Sequence, residues 1–445
     1  MNSTRETGDF SRHVAEIQRR YDAALEASGC NVVVVGAGVL EYRFLDDQPH
    51  AYVANPDFLQ WLPLTEHPGS CLVYRPGSRP LLVVLQPDDY WHEPPTMPED
   101  MVTREFDVRV VGSPAEAMAA LPAPNPKMAF IGPATQWNAV PAPAQYNPEK
   151  LLSYLHYQRA AKTAWEIDCV RAANELAAAG HHAAERRFRQ GGSEYEILNA
   201  FLDGCRQLEP ELPYPAIVAL NGHGATLHYQ RRARTPIANG DRHSLLIDAG
   251  CSSRGYASDI TRTYSYSSTE FAQMVQDMDR VQQKLCSAVR PGVPFPDLHR
   301  LAHREIATLL HDWGLVRASP EAICANGTSF AFFPHGLGHY LGLQVHDLGG
   351  QLADAKGGRL PQPDDYPRLR LLRTLEEAQV VTIEPGLYFI GTLLDGLRAS
   401  PAGRDVDWKK VDGLRVFGGI RIEDDVLVTA NGFENLTRPA FGAAA

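Results

Sequence analysis

Four carboxylates sit where a folded chain tolerates charge least. Asp248 ends the apolar run of LLIDAG, Asp259 lies in YASDITRTY, Glu384 in VVTIEPGLYF and Glu423 in GIRIEDDVLV. The flanking branched aliphatics read as buried β-strands. One acid in such a run is compatible with a strand face turned to water. An ionised acid buried there needs a pairing charge or a metal. Two carboxylates about 4 Å apart repel by roughly 4 kcal/mol at an effective dielectric near 20. Four held together stay ionised only around cations, and two divalent ions would balance their charge. Asp248 and Asp259 are eleven residues apart with a Gly-containing turn between them, so a hairpin could bring them face to face.

A second cluster is PHGLGHYLGLQVHD, Pro334–Asp347, which carries His335, His339 and His346. Spacings of four and seven could place these imidazoles on one helical face, but Gly336, Gly338 and Gly342 make a poor helix. An imidazole added to the acids completes a donor set suited to a pair of ions about 3.5–4 Å apart. Oxygen-rich donors favour Mn²⁺, with Co²⁺ or Zn²⁺ also able to bind. Cys251 and Ser252 follow the DAG turn, but no GxSxG elbow or triad context accompanies them, so a covalent nucleophile is not expected.

The chain of 445 residues is long enough for two domains. SRHVAEIQRRYDAALEAS, 11–28, predicts an amphipathic helix and NVVVVGAG a buried strand. CLVYRPGSRPLLVVLQP predicts two strands about a Pro-Gly turn, and VRVVG and KMAFIG are strands with a helix at SPAEAMAALP between them. The expectation is a small N-terminal α/β domain over residues 1–160, the boundary falling near 158–162. GAG at 36–38 reads as a strand-end turn, since the dinucleotide fingerprint needs more glycines. Residues 161–445 open on helix, break and long helix, then alternate helices with hairpin-like strands. The whole is expected to be α+β, with largely antiparallel strands in this second domain. A net charge of −11 argues against general nucleic-acid binding. Seven scattered cysteines without a CxxC pair suggest buried free thiols. The opening MNSTRETGDFSRH lacks an apolar signal core, and no apolar run approaches the roughly 20 residues of a membrane span. A cytoplasmic protein without a membrane partner is expected.

Taken in order, IDAG, ASDITRTY, PHGLGHYLGLQVHD, TIEPGLYF and GGIRIEDDVLVT resemble the prolidase branch of the pita-bread metallopeptidases, which also contains organophosphorus acid anhydrolases. The resemblance extends to FLDD and NPDFLQWLP at 44–63 and DYWHEPP at 89–95, similar to the N-terminal domain of bacterial Xaa-Pro dipeptidases. It implies a pita-bread catalytic domain over 161–445 and two divalent ions per chain. By resemblance, Asp248 binds one ion, Asp259 and Glu423 bridge both, and His339 and Glu384 complete the other site. His335 and His346 match histidines that contact substrate and stabilise the tetrahedral intermediate, and His228 of ATLHYQ matches a further substrate contact. Asn221-Gly222-His223-Gly224 departs from the family pattern, which has an acidic or polar residue after the Asn; that bears on loop shape, not on the metal set.

Arg370 and Arg421 resemble arginines at the substrate end. A guanidinium fork suits a free carboxylate. Arg421 shares a strand face with Glu423, so a salt bridge to a ligand acid is its competing reading, and Arg370 is the favoured anchor. The implied activity is hydrolysis of Xaa-Pro dipeptides to proline. Water activated by the ions attacks, and Glu384 relays the proton to the prolyl nitrogen. A side activity on organophosphate triesters is implied too. So is a homodimer in which residues 1–160 serve dimerisation and substrate closure and the loop around Asp46 and Asp47 reaches the partner's site. The alternatives are an aminopeptidase acting on longer peptides, a dedicated organophosphorus acid anhydrolase, and a non-catalytic pita-bread binding module, against which the intact ligand set argues.

Overall fold

The computed structural model describes residues 2–91, 93, 96, 100–137, 145–267 and 270–444. The chain divides into two compact units, residues 1–168 with 352–359, and residues 169–351 with 360–445. No helix among the described residues is long and apolar enough to cross a membrane.

The first unit opens on a helix, Asn2–Ser28, which starts earlier than the expected residue 11. Its sheet is built from β1 (Val32–Gly36), β2 (Cys71–Tyr74), β3 (Leu81–Leu85), β4 (Asp107–Val111), β5 (Met128–Ile131) and β6 (Gln145–Tyr146), in the order β4-β3-β2-β1-β5-β6. The valine run of β1 is buried throughout, as befits a central strand paired antiparallel to β2 and parallel to β5. The Pro-Gly turn expected between β2 and β3 joins an antiparallel pair in register Leu72↔Leu82. Ser113 caps the helix Pro114–Ala120 by accepting from the Glu116 N–H, the start signal read in SPAEAMAALP. Of DYWHEPP, His92, Pro94 and Pro95 lie outside the described residues.

In the second unit every strand pair is antiparallel. One sheet holds β7 (Ile217–Leu220), β8 (Ser244–Asp248) and, after a small hairpin of β9 (Ser252–Ser253) and β10 (Tyr256–Ala257), β11 (Thr261–Ser265). A second holds β12 (Val380–Ile383), β15 (Asp424–Thr429) and β16 (Gly432–Asn435), and a third pairs β13 (Gly386–Tyr388) with β14 (Gly419–Arg421). Alternation along β8 separates its two faces. Leu245 and Ile247 pack with Phe188, Ile197 and Phe201 of helices Ala164–Arg189 and Glu194–Cys205. Leu246 packs with Tyr229 and Tyr388 on the opposite face. Asp248, two residues beyond Leu246, therefore emerges on the Tyr388 side.

Candidate metal centre and substrate pocket

Pro334–Asp347 is not helical. It runs along β12 through backbone bonds Thr382 N–H to His339 O at 3.0 Å, Leu341 N–H to Val380 O at 3.0 Å and Glu384 N–H to Leu337 O at 2.9 Å. The glycines permit the close approach: a Cβ on Gly338 would lie 2.0 Å from the Thr382 carbonyl oxygen. This ladder sets His339 beside Glu384, with Nε2 of the ring 3.7 Å from Oε1 of the acid.

The other acids arrive from neighbouring strands. Asp248 and Thr261 are opposite each other across β8 and β11. Thr261 forms an isolated bridge to Glu423, receiving its N–H at 3.0 Å and donating its hydroxyl to Glu423 Oε2 at 2.6 Å. Asp259 precedes β11, and its own N–H donates to buried Asp425 at 3.1 Å. Asp259, His339 and Glu423 thus each bring one ligand atom into a group within 4.8 Å of one another. All three are at most 5% exposed. With Asp248, Glu384, His335, His346, His228, Arg370 and Arg421 they line a cavity of about 250 Å³. Every residue singled out in the sequence for this chemistry borders it.

The donor set fits divalent cations. His339 Nδ1 is 3.0 Å from the Tyr340 carbonyl and must donate there, which leaves the lone pair of Nε2 facing Asp259 Oδ2 at 3.4 Å. The Tyr214 hydroxyl stands 2.8 Å from Asp248 Oδ1 and 2.6 Å from Asp259 Oδ1. One hydrogen serves one acceptor at a time, so the two carboxylates need a further positive partner. Burial raises the pKa of Asp248 and drives that of Glu423 far above the usual range, Asp259 adding to both. Burial also pushes Glu384 up to about 7, against the pull of His339 and Arg421. At His339 burial works to lower the pKa, but Asp259 and Glu384 outweigh it. These acids resist ionising together unless a cation joins them.

The remaining residues divide by how their polar atoms are occupied. Arg421 is 5% exposed and donates to Asp248 Oδ2 at 2.6 Å, to the Tyr388 hydroxyl at 2.8 Å and to Thr261 Oγ1 at 3.0 Å. His335 is engaged at both nitrogens, Nδ1 with the Gly336 carbonyl and Nε2 with the Tyr388 hydroxyl, each at 2.8 Å. Burial, then the charge of Arg421, lowers its pKa to about 3, so it is neutral. His346 stands edge to face with His339 at 4.4 Å, and desolvation with the neighbouring His339 and Arg370 charges keeps it neutral too. His228, His346 and Arg370 are exposed and reach no hydrogen-bond partner among the described residues.

Sequence reading missed Tyr214, Thr261, Tyr388 and Glu194. Buried Glu194 accepts from the N–H groups of Leu220 and Ala233, from His223 Nδ1 and from the Tyr229 hydroxyl, at 2.6–2.8 Å. It pins both ends of the loop that carries His228, including the unusual Gly222-His223-Gly224 stretch, which forms a 3₁₀ turn. Only Glu194 had a local signal, at the start of a helix capped by Ser193 and Glu196.

Residues 168–430 match the profile described as Metallopeptidase family M24, and residues 8–157 match the Xaa-Pro dipeptidase N-terminal domain. The chain is 45% identical over 441 residues to an Xaa-Pro dipeptidase of Stenotrophomonas maltophilia (strain K279a), covering 98% of each. It is 44% identical to that of Xanthomonas campestris pv. campestris (strain B100), again covering 98% of each. Among solved structures, proline aminopeptidase P II from Yersinia pestis superposes with a TM-score of 0.72 at 26% identity, over 97% of this chain and 96% of the other. Aminopeptidase P from E. coli with the inhibitor Pro-Leu shares the fold, with a TM-score of 0.72 at 24% identity over 97% and 98% of the chains.

Proposed function

The chain belongs to metallopeptidase family M24, and we infer from the site and its relatives that it hydrolyses Xaa-Pro dipeptides, releasing proline in a metal-dependent reaction. The observation that carries this reading is the convergence of Asp259, His339 and Glu423 at a cavity also bordered by exposed Arg370, whose guanidinium has no partner among the described residues. Asp248, Asp259, His339, Glu384 and Glu423 would together hold two divalent ions. The oxygen-rich donors support Mn²⁺, with Co²⁺ or Zn²⁺ as substitutes. When bound, the ions supply Lewis acidity and lower the pKa of a shared water.

The chain's own residues do the rest. Glu384 faces the cavity beside His339, where it takes up the proton released by the attacking water. It passes that proton to the prolyl nitrogen, which is tertiary and leaves only when protonated. His346 has free ring nitrogens and donates to the oxygen that gains charge in the transition state. His335, with both nitrogens engaged, orients Tyr388 and through it Arg421. Arg370 anchors the proline carboxylate and His228 contacts the substrate.

A homodimer is supported by the exposed hairpin whose tip carries Phe44 and Leu45, each 91% exposed, next to Asp46 and Asp47. On this reading residues 1–160 serve dimerisation and closure over the substrate. A cytoplasmic location is supported by the seven free cysteines. Organophosphate triesters are a side reaction of the same centre.

The test is metal analysis of the purified protein together with turnover of Gly-Pro, Gly-Pro-Ala and Gly-Pro amide. Two divalent ions per chain and chelator-sensitive turnover of Gly-Pro alone are expected. Preference for the tripeptide would assign an aminopeptidase instead, and metal-independent binding without turnover would assign a binding module.

A further inference from the structure

The cavity has one guanidinium more than a simple dipeptide can use. Arg368 borders it together with Arg370. Between them Leu369 is 2% exposed and turns inward beneath Gly336, where an added Cβ would lie 3.2 Å from its Cδ1. Arg368 and Arg370, on either side of this anchor, border the pocket from a turn and a bend. Arg368 and Arg370 are both exposed, and neither has a hydrogen-bonded or ionic partner among the described residues. The acids lining the cavity are Asp248, Asp259, Glu384 and Glu423, all given to the metal centre, and Arg421 is already paired with Asp248.

The proline carboxylate occupies one fork. Proline has no other charge, so a second anion on an Xaa-Pro dipeptide can come only from the side chain of the first residue. We propose that Arg368 is a specificity-determining residue that favours dipeptides with an acidic first residue, Asp-Pro and Glu-Pro. The inference rests on the dipeptidase reading above. Because Arg368 is exposed, its pairing is screened, and the preference is modest and falls with salt.

The experiment measures kcat/KM of the metal-reconstituted enzyme on Asp-Pro, Ala-Pro and Lys-Pro, in wild type, Arg368→Ala and Arg368→Glu, at low and high salt. Wild type is expected to favour Asp-Pro over Ala-Pro by roughly three- to tenfold at low salt, mainly through KM. Arg368→Ala should bring that ratio to about one, and Arg368→Glu should invert the order of Asp-Pro and Lys-Pro. A wild-type ratio near one, or an unchanged ratio in both variants, overturns the proposal. So does an equal fall on Asp-Pro and Ala-Pro in Arg368→Ala, which would place Arg368 on the proline carboxylate beside Arg370. Failure of wild type to turn over any Xaa-Pro dipeptide overturns the dipeptidase reading first, and this inference with it.

Discussion

Arg421 and Asp248 form a buried ion pair, with Nη2 2.6 Å from Oδ2. A guanidinium so committed, with Tyr388 and Thr261 taking two more of its donors, has little left for a substrate. Its place is within the acid cluster, which supports the proposal that Arg370 is the partner of the proline carboxylate.

That division predicts a kinetic cycle. Amidating the dipeptide should lower wild-type kcat/KM by roughly 30-fold or more, since losing one partner of a partly desolvated charge pair costs about 2–5 kcal/mol. Arg370→Ala should lose a similar factor on the free dipeptide and little more on the amide, because both changes delete one interaction. Additive penalties would reject Arg370 as the anchor.

Metal content should separate the histidines. His339→Ala should lose metal, as should Glu423→Gln, which removes a charge from the group of three converging donors. His335→Ala should retain metal and lose rate, since that ring contacts Tyr388 and the Gly336 carbonyl. Elemental analysis beside steady-state rates checks all three. Parental metal content in His339→Ala would remove that residue from the ligand set.

Glu194→Gln should act on substrate binding from a distance. The amide presents a donor where the carboxylate accepted from four groups, so buried N–H or O–H groups lose partners at about 1–3 kcal/mol each. The 220–233 loop should loosen. KM should rise by more than kcat falls, as His228 loses its position, and the melting temperature should drop. A lower melting temperature with unchanged KM would show that the loop does not position His228.

Acid should destabilise the second unit through His299 and His303, which lie one helical turn apart on Phe295–Asp312 with ring centroids 4.7 Å apart. Burial depresses His299 to about 2, with His303 adding to it, and depresses His303 to about 4. Folded pKa values below the unfolded 6.5 mean that the unfolded chain takes up protons first as pH falls. Stability present above pH 6.5 is therefore lost below it, by about 2 kcal/mol per ring at pH 5. Melting temperatures between pH 7.5 and 5 should show the decline, and His303→Leu should make it shallower whatever its own stability at pH 7.5.

The acids were legible because each contradicts its surroundings: a carboxylate between branched aliphatics is a local anomaly that one strand displays by itself. Glycine spacing likewise marked Pro334–Asp347 as a poor helix. Tyr214 and Thr261 gave no such sign. A tyrosine between two prolines and a threonine in a strand are ordinary residues, and their importance arises from contacts with Asp248 and Glu423 made only after the strands pair. The role of Arg421 stood open for the same reason, since its strand face was predictable but its partner on β8 was not. The first helix was longer than predicted because the polar start of Asn2–Ser28 has no periodic apolar signal, yet holds no proline to stop it.

Gly338 also bears on how such an enzyme can diverge. With the Thr382 oxygen 2.0 Å from where a side chain would begin, no other amino acid can be accepted there without moving β12, and with it Glu384. Mutation at that position is closed to evolution and to the engineer. The Arg368 side chain, exposed and without a partner among the described residues, carries no such constraint. New substrate preferences should therefore accumulate at the rim while the histidine segment stays frozen, and a directed library is best spent on Arg368.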